Sequence, residues 1–178
     1  MAYFTMRTAG RRAAAAALAG ATCFAFSRRT ASASLPPPSE RPILTVSGKI
    51  ANTTRGDAAQ FDRPMLEALG MSGFETTTPW YPGPVRFDGV RMDRLLEALG
   101  ASGDRVLAYA LNDYTTELPV SDFAAYGVLL ALKRDGEYMP VRDKGPLFIV
   151  YPFDSRPELR HQRFYSRSAW QLARLDVR

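Results

Sequence analysis

The chain has 178 residues, 46% apolar and 23% charged, enough for one domain with its own core and too few for two large ones. Its formal net charge is +5, but residues 1–33 hold five arginines and no acidic residue, leaving 18 basic and 18 acidic side chains in the remainder. A neutral body has no electrostatic footprint for polynucleotides, so nucleic acid is excluded as a partner. Cys23 and His161 are the only cysteine and the only histidine. Beyond the first 33 residues there is no thiol for a disulfide or a metal, and no nucleophile motif accompanies the histidine.

Residues 1–33 read as an export signal. An arginine-bearing start is followed by the apolar run Ala13–Phe26 and by Ala31-Ser32-Ala33, an A-x-A-like cleavage site. The run is short for a bilayer span. An exported, periplasmic location is therefore expected, with no stable membrane insertion once the signal is removed; Arg28-Arg29 keeps an anchor as the alternative. Arg11-Arg12 is a weak twin-arginine signal. Residues 34–42, with the run LPPPSERP, read as an extended and mobile proline-rich linker. The folded domain is expected over residues 43–178.

Ile43–Ile50 reads as a strand with a glycine interruption at Gly48, and Asn52–Asp57 as a polar turn. Asp62 is placed to cap a short helix that starts at Arg63-Pro64, turns Met65, Leu66 and Leu69 inward and stops at Gly70. The octapeptide Leu66–Gly73 (LEALGMSG) returns as Leu96–Gly103 (LEALGASG), each copy followed by a strand, Phe74–Thr78 and Arg105–Leu111. This is a helix–turn–strand unit used twice, too few copies for a solenoid.

Thr76-Thr77-Thr78 favours a strand through branching at Cβ, and Pro82-Gly83-Pro84 predicts that it opens into a long ordered loop. Trp80, at that junction, is either a pocket wall or a core plug. Asn112-Asp113-Tyr114 makes a turn before a returning strand, Thr115–Val120, and Ser121 or Asp122 opens the segment to Tyr126. Val128–Lys133 is a buried strand turned by Asp135-Gly136, and Leu147–Tyr151 reads as a central strand. The tail carries Arg156, Arg160, Arg163 and Arg167, a spacing that lines one helical face as an anion patch or a solvated surface, before a last strand within Trp170–Val177. Short strands with few short helices make an α+β or mostly β domain.

Val46-Ser47-Gly48, Thr76–Trp80 with Phe87-Asp88-Gly89-Val90, Asn112-Asp113-Tyr114 running to Leu118-Pro119, and Asp135-Gly136 with Gly145-Pro146 and Pro152 stand in an order that resembles the molybdopterin-binding domain of the sulfite oxidase family, in its small exported form. The resemblance implies an α+β fold with mixed sheets and a pterin-type cofactor. In that family the strand aligned with Glu75–Thr78 carries a molybdenum-ligating cysteine, in the pattern Cys, any residue, Thr, any residue, Trp. Laid on this chain, the pattern puts Thr78 and Trp80 on their partners and Thr76 on the cysteine. A threonine hydroxyl stays protonated near neutral pH and is a poor ligand for such a metal. Phe148 also stands in place of an arginine that would grip the cofactor's phosphate, with Lys144, Arg142, Arg160 and Arg163 as possible substitutes.

The resemblance thus makes Thr76, Thr78, Trp80, Tyr114 and Lys144 the candidate cofactor-binding residues. It assigns no metal ligand and no catalytic residue. The expected function is binding of molybdopterin without a cysteine-ligated metal, or of another small anionic ligand, by a pseudoenzyme. The alternatives are a cofactor-free module that binds a periplasmic partner protein and an active molybdenum-dependent oxidoreductase.

Overall fold

The computed structural model describes residues 35–178; the export signal and Cys23 lie outside them. Two five-stranded sheets share one apolar core. The first contains β1 (Leu44–Gly48), β2 (Ala59–Phe61), β5 (Arg105–Ala110), β6 (Thr115–Pro119) and β10 (Leu172–Val177) in the order β2-β1-β10-β5-β6. The second contains β3 (Met71–Thr78), β4 (Tyr81–Arg91), β7 (Leu129–Arg134) and β8 (Glu137–Tyr138) in that order, with β9 (Phe148–Val150) also paired to β7. β1 and β10 are parallel and the other strand pairs antiparallel. Four short helices complete an α+β domain: α1 (Arg63–Ala68), α2 (Met92–Ala98), α3 (Ser121–Tyr126) and α4 (Gln162–Arg167). None of the described helices is long and apolar enough to cross a membrane.

Burial follows side-chain period. β1 buries Leu44 and Val46 and turns Thr45 and Ser47 outward, the alternation of a strand covered on one face. Leu129–Leu132 and all of β9 are buried, as continuous apolar runs covered on both faces must be. β9 is less central than expected. It has three residues and one strand neighbour, and its free side is closed by Ile149 N–H on the Ala169 carbonyl.

The long loop expected after Thr78 is not there. β3 and β4 form a hairpin across Pro79-Trp80, with a register shift between Thr77 and Thr78. Pro82 and Pro84 are tolerated because β7 pairs with β4 only from Phe87 onward, so their missing N–H groups face no second strand. Both copies of the helix–turn–strand unit form. Leu66 and Leu96 are buried, and Gly70 and Gly100 stop their helices at φ 100° and 57°. Their strands enter different sheets, β3 the second and β5 the first.

The segment read as a mobile linker is tethered. Ser39 N–H, Ser39 Oγ and Glu40 N–H all donate to Asp62 Oδ2, at 2.6, 3.0 and 2.8 Å, while Asp62 Oδ1 accepts the N-cap bond from Met65 N–H at 2.9 Å. The four arginines of the tail do not share a helix, because Arg156 and Arg160 flank a short 3₁₀ turn and only Arg163 and Arg167 lie on α4.

Candidate ligand-binding site

Alternation along β3 sends Thr76 inward, to 1% exposure, and Thr77 outward. Thr76 Oγ1 accepts a hydrogen bond from Asp154 N–H at 3.0 Å and donates to the Thr77 carbonyl at 3.3 Å. Thr77 N–H and Oγ1 donate to the two carboxylate oxygens of Asp154, at 2.6 and 2.7 Å, and Arg160 Nη2 completes the clamp at 2.6 Å. The Thr77 hydroxyl holds the Asp154 carboxyl below its ordinary range against the opposing effect of burial, with the Thr77 amide and Arg160 adding to it. The chain just after β9 is therefore latched over the end of β3, with Thr76 sealed beneath it.

The hairpin turn carries Trp80, and Thr78 shapes that turn by accepting Trp80 N–H on its hydroxyl at 3.3 Å. The indole stands edge-on to Phe148 and Trp170, both at 5.4 Å, and to Phe153 and Tyr165, both at 6.1 Å. Trp80 is thus core packing on one side and wall on the other. Tyr114, from the β5–β6 turn, lies parallel to Trp170 within 3° at 6.4 Å, and its hydroxyl donates to the Ser166 carbonyl at 2.6 Å. Together Trp80, Tyr114, Tyr165 and Trp170, with Gln162 and Ser166 of α4, line a cleft of about 260 Å³. Among the described residues, no side chain charged at neutral pH lines it.

The structure brings Trp80 and Tyr114 to this cleft and leaves the other candidates outside it. Thr76 is sealed and Thr78 is a turn former. Lys144 has its ammonium 4.4 Å from the centre of the Tyr81 ring, which Arg134 also overlies at 4.6 Å and whose hydroxyl donates to Asp143. Of the other cations considered, Arg160 is held by Asp154 and Arg163 lies over the Phe164 ring at 4.6 Å. Phe148 is fully buried beneath Trp80. Gln162, Tyr165, Ser166 and Trp170 were not anticipated; the sequence signal for them was the cluster of rings, Phe164, Tyr165 and Trp170, in a tail otherwise rich in polar residues. His161 is spent as the N-cap of α4, its Nδ1 accepting Arg163 N–H at 3.1 Å.

A wider groove, of about 620 Å³, opens between Arg105, Glu117, Ser121 and Arg167. Both of its arginines are already paired, Arg105 to Glu117 at 2.6 Å and Arg167 to Asp122 at 2.7 Å. The smaller cleft is the better site because its walls are rings with little to satisfy one another beyond packing.

Residues 59–153, more than half of the chain, match the family model described as the oxidoreductase molybdopterin binding domain. The match runs from β2 to the residue before Asp154, so it includes Trp80 and Tyr114 and stops short of α4 and Trp170. No curated protein matches the chain.

Proposed function

This chain belongs to the oxidoreductase molybdopterin-binding domain family, and from that premise we propose that it is an exported domain that binds a small pterin-type ligand and has lost molybdenum redox chemistry. Thr76 carries the proposal. It occupies the position that the family resemblance gives to the metal-binding thiolate, and its hydroxyl is committed to Asp154 N–H and the Thr77 carbonyl.

One further feature supports the same reading. The position expected to hold a phosphate-gripping arginine is Phe148, packed under Trp80 with no polar atom to offer. Hard oxygen donors already engaged in hydrogen bonds do not replace a thiolate on a metal of this kind. The residues present therefore do not fit a cysteine-ligated molybdenum cofactor, whereas the aromatic cleft beside them fits a flat ring.

The test is molybdenum content and oxidised-pterin fluorescence on protein purified from a host that makes the cofactor. Pterin without metal is the expected result. Stoichiometric molybdenum would overturn the proposal in favour of an active oxidoreductase, and neither pterin nor metal would favour a cofactor-free module for a periplasmic partner. Thr76→Cys is expected to leave metal content unchanged, because Asp154 still closes the position. The variant should cost about 1 kcal/mol in urea unfolding, since a thiol is a weaker acceptor for the Asp154 amide. A gain of molybdenum in Thr76→Cys would mean that the latch opens to the cofactor after all.

A further inference from the structure

The rings of the cleft are held in place from behind, while the polar edges of Trp80, Tyr165 and Trp170 remain unpaired. Trp80 is fixed by four edge-to-face neighbours, so little side-chain freedom is lost when a ligand meets it. Neither indole N–H, of Trp80 or of Trp170, has a protein acceptor among the described residues, and the Tyr165 hydroxyl and the Gln162 amide also lack partners. No buried side-chain polar atom is left unsatisfied among the described residues, so the two indoles and the Tyr165 hydroxyl reach solvent. Tyr114 is 40% exposed and parallel to Trp170, which gives a flat molecule two faces of one orientation to lie against.

A site of stacked rings, free donors and one amide, with no charge in its lining, is complementary to one chemical class. A phosphate or carboxylate brought here would lose water and gain no cation. A flat uncharged ring with donors and acceptors on its edge would gain dispersion against Tyr114 and Trp170 and hydrogen bonds from Gln162 and the indoles. At about 260 Å³ the cavity falls just below the usual range of ligand sites, about 300 Å³ and upward. It therefore has room for a fused ring system and little beyond it.

We propose that the cleft between Trp80, Tyr114 and Trp170 binds an uncharged fused heteroaromatic ring, recognised by its faces and edge and not by a phosphate. This rests on the reading above, in which the metal position is sealed, and narrows the ligand from pterin-type in general to the ring alone. Trp170, Tyr165 and Gln162 lie beyond the family match, so the proposed recognition uses residues on both sides of its end.

The experiment titrates the full chain with riboflavin and with flavin mononucleotide, which share an uncharged tricyclic ring and differ by a phosphate, following tryptophan and flavin fluorescence. Riboflavin is expected to bind, and flavin mononucleotide no more tightly. Tyr114→Ala, at an exposed position that should fold normally by thermal melt, is expected to weaken riboflavin by about tenfold, as loss of one stacking face does. Tighter binding of the phosphorylated ring by tenfold or more would overturn the proposal, as would no binding of either flavin or unchanged affinity in Tyr114→Ala. Molybdenum content measured on the same preparation keeps the two readings apart. Metal-loaded protein would overturn the functional reading, whereas metal-free protein that ignores both flavins would overturn only the ring assignment.

Discussion

Replacing Asp62 by alanine is expected to cost about 3 kcal/mol of unfolding free energy at neutral pH, from a lost N-cap and three further lost acceptor contacts. For a chain of this size the melting temperature should fall by about 6–12 °C. The buried carboxylate serves two masters: Oδ1 caps α1 through Met65, and Oδ2 gathers Ser39 and Glu40 from the segment before β1. Asp62→Asn cannot replace both, because one oxygen becomes an NH₂ group facing donors, so it should fall between alanine and the native residue.

Burial pushes the Asp62 carboxyl up, and the bonds from Met65, Glu40 and Ser39 more than reverse it, leaving it below its ordinary value. A depressed carboxylate contributes its stability above the unfolded value, about 4, and loses it as pH falls through the lower folded value. The gap in melting temperature between native and Asp62→Ala protein should therefore be constant from pH 5 to 8 and shrink below pH 4. A gap that persists undiminished at pH 2.5 would show that the carboxylate's charge plays no part in the tether.

What was readable in the sequence was local. Asp62, Pro64 and Gly70 marked both ends of α1 because caps act within a single turn, and Asp135-Gly136 marked its hairpin for the same reason, with both residues at positive φ. β2 escaped notice because three residues, Ala59–Phe61, are too few to establish a period. The loop expected after Thr78 failed for a reason that lies outside the segment. Pro82 and Pro84 rule out a strand with partners on both sides, and only the sheet order reveals that this end of β4 has one.

The site divides in the same way. Trp80 and Tyr114 stood out because each follows or precedes a turn, where a large ring is costly unless it is covered or used. Their partnership with Trp170 was invisible, since it depends on β10 lying beside β5 and on α4 folding back toward the β5–β6 turn. The latch was equally hidden. Nothing near Asp154 in the sequence says that its carboxylate will meet Thr77, 77 residues earlier. Thr76 was legible as a departure from a family pattern, but its burial under the latch was not.

Asp122→Ala should be the most damaging single change considered, at about 3–5 kcal/mol, the usual cost of breaking a buried ion pair from one side. Asp122 Oδ2 accepts from the Tyr151 hydroxyl at 2.8 Å and from Arg167 Nη1 at 2.7 Å. Its removal strands a fully buried phenol and a largely buried guanidinium together. Tyr151→Phe removes only the neutral donor and leaves the ion pair, so about 1 kcal/mol is expected there. It should also change the alkaline limb. Burial, then the charge and hydrogen bond of Asp122, push the phenol far above its ordinary value, with Arg167 opposing. A raised phenol contributes fully below the unfolded value, about 10, and loses that contribution as pH rises beyond it; Tyr151→Phe should lack this loss. Arg167 ends α4, the helix that presents Gln162, Tyr165 and Ser166 to the cleft. Asp122→Ala should therefore weaken riboflavin binding even at temperatures where the variant is folded, while Tyr151→Phe binds normally. A loss below 1 kcal/mol in Asp122→Ala would place Asp122 and Arg167 among solvated surface pairs, and the cleft would then owe its shape to ring packing alone.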